Sequence, residues 1–172
     1  ALAHPEEPDR TTSARDITDV SIIRVIESEV YGPLTVALVE VDVTHQVVGY
    51  LRTLYSGEVL DAVELDMPRQ TLHTRAVMYT LTPESLESAG IDATRLPGSL
   101  HAAEHAAIGL LPLVATCDRA DIGGLSTDLH PDTGLPTVFV YDGYLGGAGF
   151  GDRGYGAFAT WIEACLLYTS DA

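Results

Sequence analysis

The 172-residue chain contains no lysine: all nine of its cations are arginines, set against 25 aspartates and glutamates, for a net charge of −16. Proteins that hold a nucleic-acid backbone neutralise its phosphates with a basic face. A chain with this charge is not expected to grip DNA or RNA by itself. Any such contact must come mainly from a neighbouring domain.

Cysteines and long apolar runs are also scarce. The two cysteines, Cys117 and Cys165, are too few for a disulfide scaffold and fit a reducing cytosol. No apolar run reaches the length of a bilayer span, and the polar, acidic start ALAHPEEPDRTTSARD lacks the features of a secretory signal. We therefore expect a cytoplasmic protein with no membrane partner. The absence of an initial methionine predicts that the chain is a segment of a longer protein.

The region from residue 19 to residue 81 is rich in β-branched and aromatic residues, several of them alternating with polar ones. Its four apolar stretches are SIIRVIESEV, PLTVALVEVDVTHQVVGYLRTL, EVLDAVELD and TLHTRAVMYTL. Such stretches, separated by Gly-Pro and Ser-Gly breaks, predict an antiparallel sheet with hairpin connections. Residues 1–18 are expected to form a flexible lead-in.

After residue 81 the pattern becomes mixed, and residues 82–164 are expected to form a helical, α+β region. Thr82 followed by proline predicts the start of a short helix, PESLESA. A buried central helix capped by Ser99 is predicted to run to about residue 114, with a kink at Pro112. The continuous apolar run TVFVYD predicts a buried strand, and a last helix is predicted for about residues 155–162. The predicted class is α+β.

The pentapeptide HAAEH lies in the central helix. His101, Glu104 and His105 are spaced i, i+3 and i+4, so they share one helix face. The pattern H-x-x-E-H is that of inverted zinc hydrolases, with two histidine ligands and a glutamate base. Such a site needs a third protein ligand, and no candidate stands in a recognisable context. The alternative is a polar start to a buried helix, with the histidines held by hydrogen bonds.

CDRADIGG follows the central helix and places two carboxylates and a guanidinium together, those of Asp118, Asp121 and Arg119. This composition predicts an ion-paired network, which either is structural or orients the histidines. Gly123 and Gly124 are expected to let the chain turn sharply.

VYDGYLGGAGFG combines a strand end, an acidic residue and a glycine-rich loop that includes Gly143, Gly146 and Gly147. Loops of this kind can present backbone N–H groups to a phosphate. This one lacks the Gly-Lys-Ser/Thr ending of a P-loop, and G-x-G-x-x-G does not occur at the strand end. We expect closely packed backbones, with Asp142 facing the His/Glu/Asp cluster. Three further histidines, His45, His73 and His130, are isolated and are expected to be hydrogen-bonded or on the surface.

Five blocks in this order resemble one family. They are VTHQVVGYLR, ELDMPRQTLHTRAVMY, HAAEHAAIGLLPL, CDRADIGG and LPTVFVYDGYLGGAGF. Together they are similar to the C-terminal, MrfA-like zinc-binding region of DEAD/DEAH-box superfamily II DNA helicases of the bacterial mitomycin-repair type. The resemblance extends from about residue 10 to residue 162.

This resemblance implies an accessory segment of an ATP-driven, 3′-to-5′ DNA helicase of DNA repair, with no catalysis of its own. Two RecA-like motor domains, which carry ATP, Mg and most DNA contacts, would precede residue 1. The residues of the three polar blocks would form a functional cluster. Its members are His101, Glu104, His105, Asp118, Arg119, Asp121, Asp142, Gly143, Gly146 and Gly147.

The resemblance also implies a structural zinc held by four cysteines beyond the last helix. Cys165 is the one candidate ligand, and residues 165–172 resemble a non-native tail, so the zinc site is expected to be incomplete. The alternative function is a metal-dependent hydrolase that uses His101, Glu104 and His105. A third hypothesis is an interaction module with an acidic surface.

Overall fold

The computed structural model describes residues 10–170 of the chain. The strands are β1 (Arg10–Tyr31), β2 (Leu34–Leu54), β3 (Val59–Glu64), β4 (Gln70–Leu81), β5 (Ile122–Thr127) and β6 (Thr137–Asp142). The helices are α1 (Pro83–Ser88), α2 (Leu96–Leu110), α3 (Phe150–Gly156) and α4 (Phe158–Ser170), with 3₁₀ turns at Leu111–Leu113 and Arg119–Asp121. Residues 1–9 of the predicted lead-in lie outside the described residues, and residues 10–18 belong to β1. Residues 171 and 172 of the predicted tail also lie outside them.

The strands form one sheet in the order β1-β2-β4-β6-β5, and β3 pairs with β2 beside this path. The pairs β2/β3, β4/β6 and β5/β6 are antiparallel, so the predicted α+β class is confirmed. The sheet is not confined to the N-terminal half, because β5 and β6 complete it. Strand β6 lies between β4 and β5 and contributes to the core on both faces, which explains its continuous apolar run.

Strand β5 was not predicted, and the turn expected at Gly123 and Gly124 is wrong. Both glycines lie within β5, and neither has a positive φ. Their lack of a side chain matters instead: a Cβ on Gly123 would overlap the ring of Tyr141, and one on Gly124 would be 2.9 Å from Cγ of Glu104. Because glycine disfavours strands, a propensity argument could not identify this one.

The helix bounds agree with the sequence at α1 and differ from it at the later helices. Thr82 caps α1 as predicted, and its hydroxyl accepts a hydrogen bond from the Ser85 N–H. Helix α2 begins at Leu96, before the predicted Ser99 cap. Pro112 does not kink it, because α2 ends at Leu110 and the proline lies in the following 3₁₀ turn. The last helical region begins at Phe150, earlier than predicted, and comprises two helices.

The chain divides into two compact units. The first combines Ala1–Asp19 with Thr44–Thr71. Its described part contains the β2/β3 pairing, in which the Arg52 guanidinium donates two hydrogen bonds, of 2.8 and 2.7 Å, to the Asp61 carboxylate. The side chain of each partner is about two-fifths exposed, so this pair stabilises the hairpin only modestly.

The second unit, Val20–Val43 with Leu72–Ala172, contains two apolar clusters. Strand side chains alternate between them: Val138 and Val140 belong to the first cluster, and Phe139 belongs to the second. Among the residues whose burial is described, helical side chains belong to the first cluster. Trp161 is buried there and donates an indole N–H hydrogen bond of 2.9 Å to the Ala107 carbonyl oxygen, which joins α4 to α2.

The connection between β5 and β6 reaches the edge strand β1. His130 is buried, and its Nε2–H donates to the Val20 carbonyl oxygen at 2.8 Å, while its Nδ1 accepts from the Asp132 N–H at 3.1 Å. The Asp132 carboxylate in turn accepts from the Ile22 N–H at 3.0 Å. These bonds satisfy main-chain groups of the kind that an edge strand otherwise exposes for pairing with another chain.

A charge network joins β1, β2 and β4. Nδ1 of His73 lies 2.8 Å from the Asp42 carboxylate, and Nε2 lies 2.7 Å from that of Glu40, which also binds Arg24. Hydrogen bonds to Asp42 and then Glu40 raise the pKa of His73. Hydrogen bonds from His73 and then Arg24 lower the pKa of Glu40. His73 is thus hydrogen-bonded, as expected of an isolated histidine.

The His73 network predicts a pH-dependent contribution to stability. A raised folded-state pKa means that the His73 contribution is complete below the unfolded value of 6.5 and is lost as pH rises through the folded value. The Glu40 contribution is present above its unfolded value of 4.5 and is lost as pH falls through its lower folded value. We expect His73→Gln to destabilise most between these two unfolded values, measured by urea unfolding across a pH series. His45→Gln is the control, and a His73→Gln penalty that stays constant up to pH 9 would contradict the network.

Candidate functional site

The HAAEH residues lie on α2, and the two histidines contact each other. Nε2 of His105 lies 2.9 Å from Nε2 of His101, with the two rings nearly perpendicular. Both residues are exposed. Nδ1 of His101 faces the Glu104 carboxyl group, 3.6 Å from Oε2. The shared helix face predicted from the spacing is therefore present.

Glu104 faces the sheet and is buried. Its Oε2 accepts a hydrogen bond of 2.7 Å from the Ser126 hydroxyl on β5. The carboxyl group lies directly over Gly124, where a Cβ would be 2.9 Å from Oε1. Burial, and then the charge of Glu104, raise the pKa of Tyr141. Glu104 thus anchors α2 to β5, and nothing in the sequence marks Ser126 as its partner.

The CDRADIGG residues form the 3₁₀ turn that precedes β5. The Asp118 N–H donates to the Asp121 carboxylate at 3.0 Å, and the other Asp121 oxygen accepts from the Tyr144 hydroxyl at 2.9 Å. This bond to Asp121 raises the pKa of Tyr144. The Gly143 N–H donates to the Asp121 carbonyl oxygen at 2.8 Å, where a Cβ on Gly143 would clash. Asp121 therefore joins this turn to the glycine-rich loop.

Asp142 organises the glycine-rich loop, and its side chain is fully buried. Its Oδ1 accepts from the Tyr144 N–H at 3.1 Å, and its Oδ2 accepts from the N–H groups of Ala148 at 2.6 Å and Phe150 at 3.2 Å. A Cβ on Gly147, which has a φ of +83°, would lie 3.7 Å from Oδ2 of this carboxyl group. The loop thus folds around a carboxyl group.

The predicted cluster therefore comprises two groups. His101, Glu104 and His105 form one on α2, completed by Ser126. Asp118, Asp121 and Asp142 form the other with the glycine-rich loop, completed by Tyr144. The Asp142 carboxylate accepts hydrogen bonds from its own loop, and its backbone carbonyl oxygen accepts one from the Thr74 hydroxyl at 2.8 Å.

Two predicted cluster members, Arg119 and Gly146, belong to neither of these two groups. Arg119 lines a cavity of about 240 Å³ together with His105, Ala106, Gly109 and Leu110. Gly146, at φ +76°, donates its N–H to the His73 carbonyl oxygen at 2.8 Å, which ties the loop to β4. The positive φ makes glycine the favoured residue at this position.

The cysteines do not provide the zinc site that the resemblance implies. Cys165 is buried in the first apolar cluster, and Cys117 is half-buried beside the CDRADIGG turn. Burial raises the pKa of both thiols, whereas zinc binds the thiolate. Between residues 10 and 170, no group of three or more His, Cys, Asp or Glu residues could hold a metal ion. The residues present do not fit the family's zinc.

The comparisons agree with the resemblance predicted from the sequence. Residues 103–170 match the family model of the MrfA Zn-binding domain, a match that includes the first six residues of the predicted tail. The chain is 29% identical over 102 residues to the uncharacterised ATP-dependent helicase YprA of Bacillus subtilis. It is 25% identical over 121 residues to the ATP-dependent helicase hrq1 of Schizosaccharomyces pombe. These alignments cover 58% and 70% of the chain but only 13% and 11% of the relatives.

The fold is similar to that of a solved helicase. The crystal structure of the DUF1998 helicase MrfA bound to DNA matches with a TM-score of 0.73 and 22% identity, over 92% of this chain and 21% of that one. A second crystal structure of the DUF1998 helicase MrfA matches with a TM-score of 0.56 and 22% identity, over 88% of this chain and 20% of that one. The resemblance to MrfA-like helicases is confirmed. In the described part of the chain, no helix is long and apolar enough to cross a membrane.

The close approach of α2 to β5 at Gly124 predicts that Gly124→Ala destabilises the fold. The new methyl group would be 2.8 Å from Cδ1 of Ile108 and 2.9 Å from the Glu104 carboxyl group, so buried side chains must shift. We expect a loss of about 1–3 kcal/mol in the free energy of unfolding, measured with urea. Gly109→Ala on α2 is the matched control, because a Cβ there meets nothing within 4 Å and alanine favours the helix. Equal stability of the two variants would contradict the proposed packing.

The bonds at Asp142 predict that Asp142→Asn loosens the glycine-rich loop. The amide replaces one acceptor oxygen with a donor that faces backbone N–H groups, so at least one buried group loses its partner. The expected cost is about 1–3 kcal/mol, with faster hydrogen exchange at Ala148 and Phe150. Asp128→Asn, at an exposed position, should change neither quantity. Unchanged exchange in the Asp142 variant would count against this role.

Proposed function

We propose that this chain is an accessory segment of an ATP-dependent DNA helicase and has no catalysis of its own. The observation that carries the proposal is the similarity of fold to the MrfA helicase over nearly the whole chain, which corresponds to about a fifth of that protein. Similarity to two ATP-dependent helicases, and to the MrfA Zn-binding domain over residues 103–170, supports it. Those helicases are much longer, so the motor functions belong to the rest of such a polypeptide.

The hydrogen bonds of the glycine-rich loop support the proposal that this segment has no nucleotide site. A phosphate loop directs its backbone N–H groups outward at an anion. Here the N–H groups of Tyr144, Ala148 and Phe150 are bonded to the Asp142 carboxyl group. Those donors are not available to a phosphate, which a carboxylate at the same place would also repel. ATP and Mg are therefore assigned to RecA-like motor domains outside this segment.

The net charge of −16 supports the proposal that DNA is bound mainly outside this segment. Backbone contacts to DNA require arginine and lysine, and four of the nine arginines in this chain, Arg24, Arg52, Arg75 and Arg119, are engaged in salt bridges or line the cavity beside α2. We propose that DNA is held mainly by the motor domains, and that this segment packs against them and helps to shape the path of the strand. We also propose that the motor is of the DEAD/DEAH-box type and that the helicase acts in DNA repair in the bacterial cytosol.

The alternative of a metal-dependent hydrolase lacks support. Its catalytic base would be Glu104, but this carboxyl group is buried and bonded to Ser126 rather than open to substrate. The histidines also lack a third protein ligand among the described residues.

An experiment on the longer reading frame that contains this segment tests the helicase proposal. We expect the isolated chain to show neither ATP turnover nor duplex unwinding, and the longer protein to show both. In the longer protein, Asp142→Asn should lower unwinding several-fold while DNA-stimulated ATP hydrolysis is kept, because the motor is intact and its accessory segment is loosened. Asp128→Asn is the matched control. ATP turnover by the isolated chain, or equal unwinding by the two variants, would contradict the proposal.

A further inference from the structure

We propose that His101 and His105 form a two-ligand site on α2 for a divalent transition metal that favours right-angled coordination, Cu²⁺ or Ni²⁺. The site differs in position and ligands from a four-cysteine zinc site, and it needs no hydrolytic activity. It is also independent of the helicase proposal.

The distance between the two ring nitrogens carries this inference. The two Nε2 atoms lie 2.9 Å apart. Imidazole nitrogens bind such metals at about 2.0–2.1 Å, so two of them at a right angle are about 2.9 Å apart, whereas a tetrahedral angle requires about 3.3 Å. Square-planar and octahedral shells have right angles and are typical of Cu²⁺ and Ni²⁺ with nitrogen ligands. The two Nε2 atoms now share a hydrogen bond, and because the exposed rings lie one helical turn apart both can turn towards one ion.

Neighbouring groups prepare His101 for this role. Its Nδ1 lies 3.6 Å from the Glu104 carboxyl group, which is too far for a hydrogen bond but close enough for the carboxylate to attract an Nδ1–H and leave the Nε2 lone pair for a metal. Metal-binding histidines are commonly oriented by a carboxylate in this way. Glu104 is itself held by Ser126 at 2.7 Å, so the carboxylate is fixed on the sheet. Glu104 is therefore a positioning residue and not a ligand.

The two imidazoles are also accessible. His101 has about two-thirds of its side chain exposed, with a relative accessibility of 65%. A metal ion bound by both Nε2 atoms would replace the hydrogen bond between the two rings. The remaining coordination positions of the ion stay open to water or to an outside ligand.

Metal titration of the tag-free protein tests the site. We expect one Ni²⁺ or Cu²⁺ per chain by calorimetry, a Cu²⁺ paramagnetic resonance spectrum with two nitrogen ligands, and a rise in melting temperature on metal addition. His101→Ala and His105→Ala should each lower the affinity by about tenfold or more, and Glu104→Gln by about tenfold. His45→Ala, on β2, is the matched control and should bind as the unaltered chain does.

Three results would overturn the proposal. The first is equal affinity in the unaltered protein and the His101→Ala/His105→Ala double variant, whose fold is checked by circular dichroism. The second is loss of binding in the His45→Ala control. The third is evidence of tetrahedral coordination, which would contradict the right-angled geometry. Such evidence would be a Co²⁺ complex with intense visible absorption, or zinc bound more tightly than Ni²⁺.

Discussion

Two carboxyl groups are buried in the part of the chain that the structure describes, and a buried carboxyl group is costly unless donors surround it. Glu104 meets this requirement with the Ser126 hydroxyl, across a helix-to-strand distance that only glycine at position 124 allows. Asp142 meets it with three backbone N–H groups of the loop that follows it. The position of α2 on the sheet and the course of the glycine-rich loop both depend on this requirement.

The need of a buried carboxyl group for hydrogen-bond donors explains why two sequence motifs do not have the chemistry that they indicate. H-x-x-E-H on a helix indicates a zinc hydrolase, yet its glutamate faces the sheet and leaves the histidines to each other. A glycine-rich loop after a strand indicates a phosphate site, yet its donors are directed inward at Asp142. In both places the carboxyl group of a polar motif is used for architecture.

Local signals in the sequence predicted much of the fold. Alternating β-branched residues located β2, β3 and β4, the Thr82-Pro83 pair located α1, and the apolar run at residues 137–142 located β6. Strand β5 escaped prediction because Gly123 and Gly124 have low strand propensity, and their benefit is the room they leave for Tyr141 and Glu104. Of the candidate site, the i, i+3 and i+4 face of α2 was predictable, whereas Ser126 and Tyr144 carried no signal, since they act through partners distant in sequence.

The sequence by itself determined what depends on composition and short-range periodicity: the α+β class, the acidic charge, most strands, and the resemblance to MrfA-like helicases through five ordered blocks. Only the tertiary structure decided which hydrogen-bond partner each polar side chain has. It folded the glycine-rich loop around Asp142, assigned Glu104 to Ser126, and brought two ring nitrogens to 2.9 Å. The physical reason is that hydrogen-bond partners are chosen by the register of strands and the seating of a helix, and both are set by packing across the whole sheet.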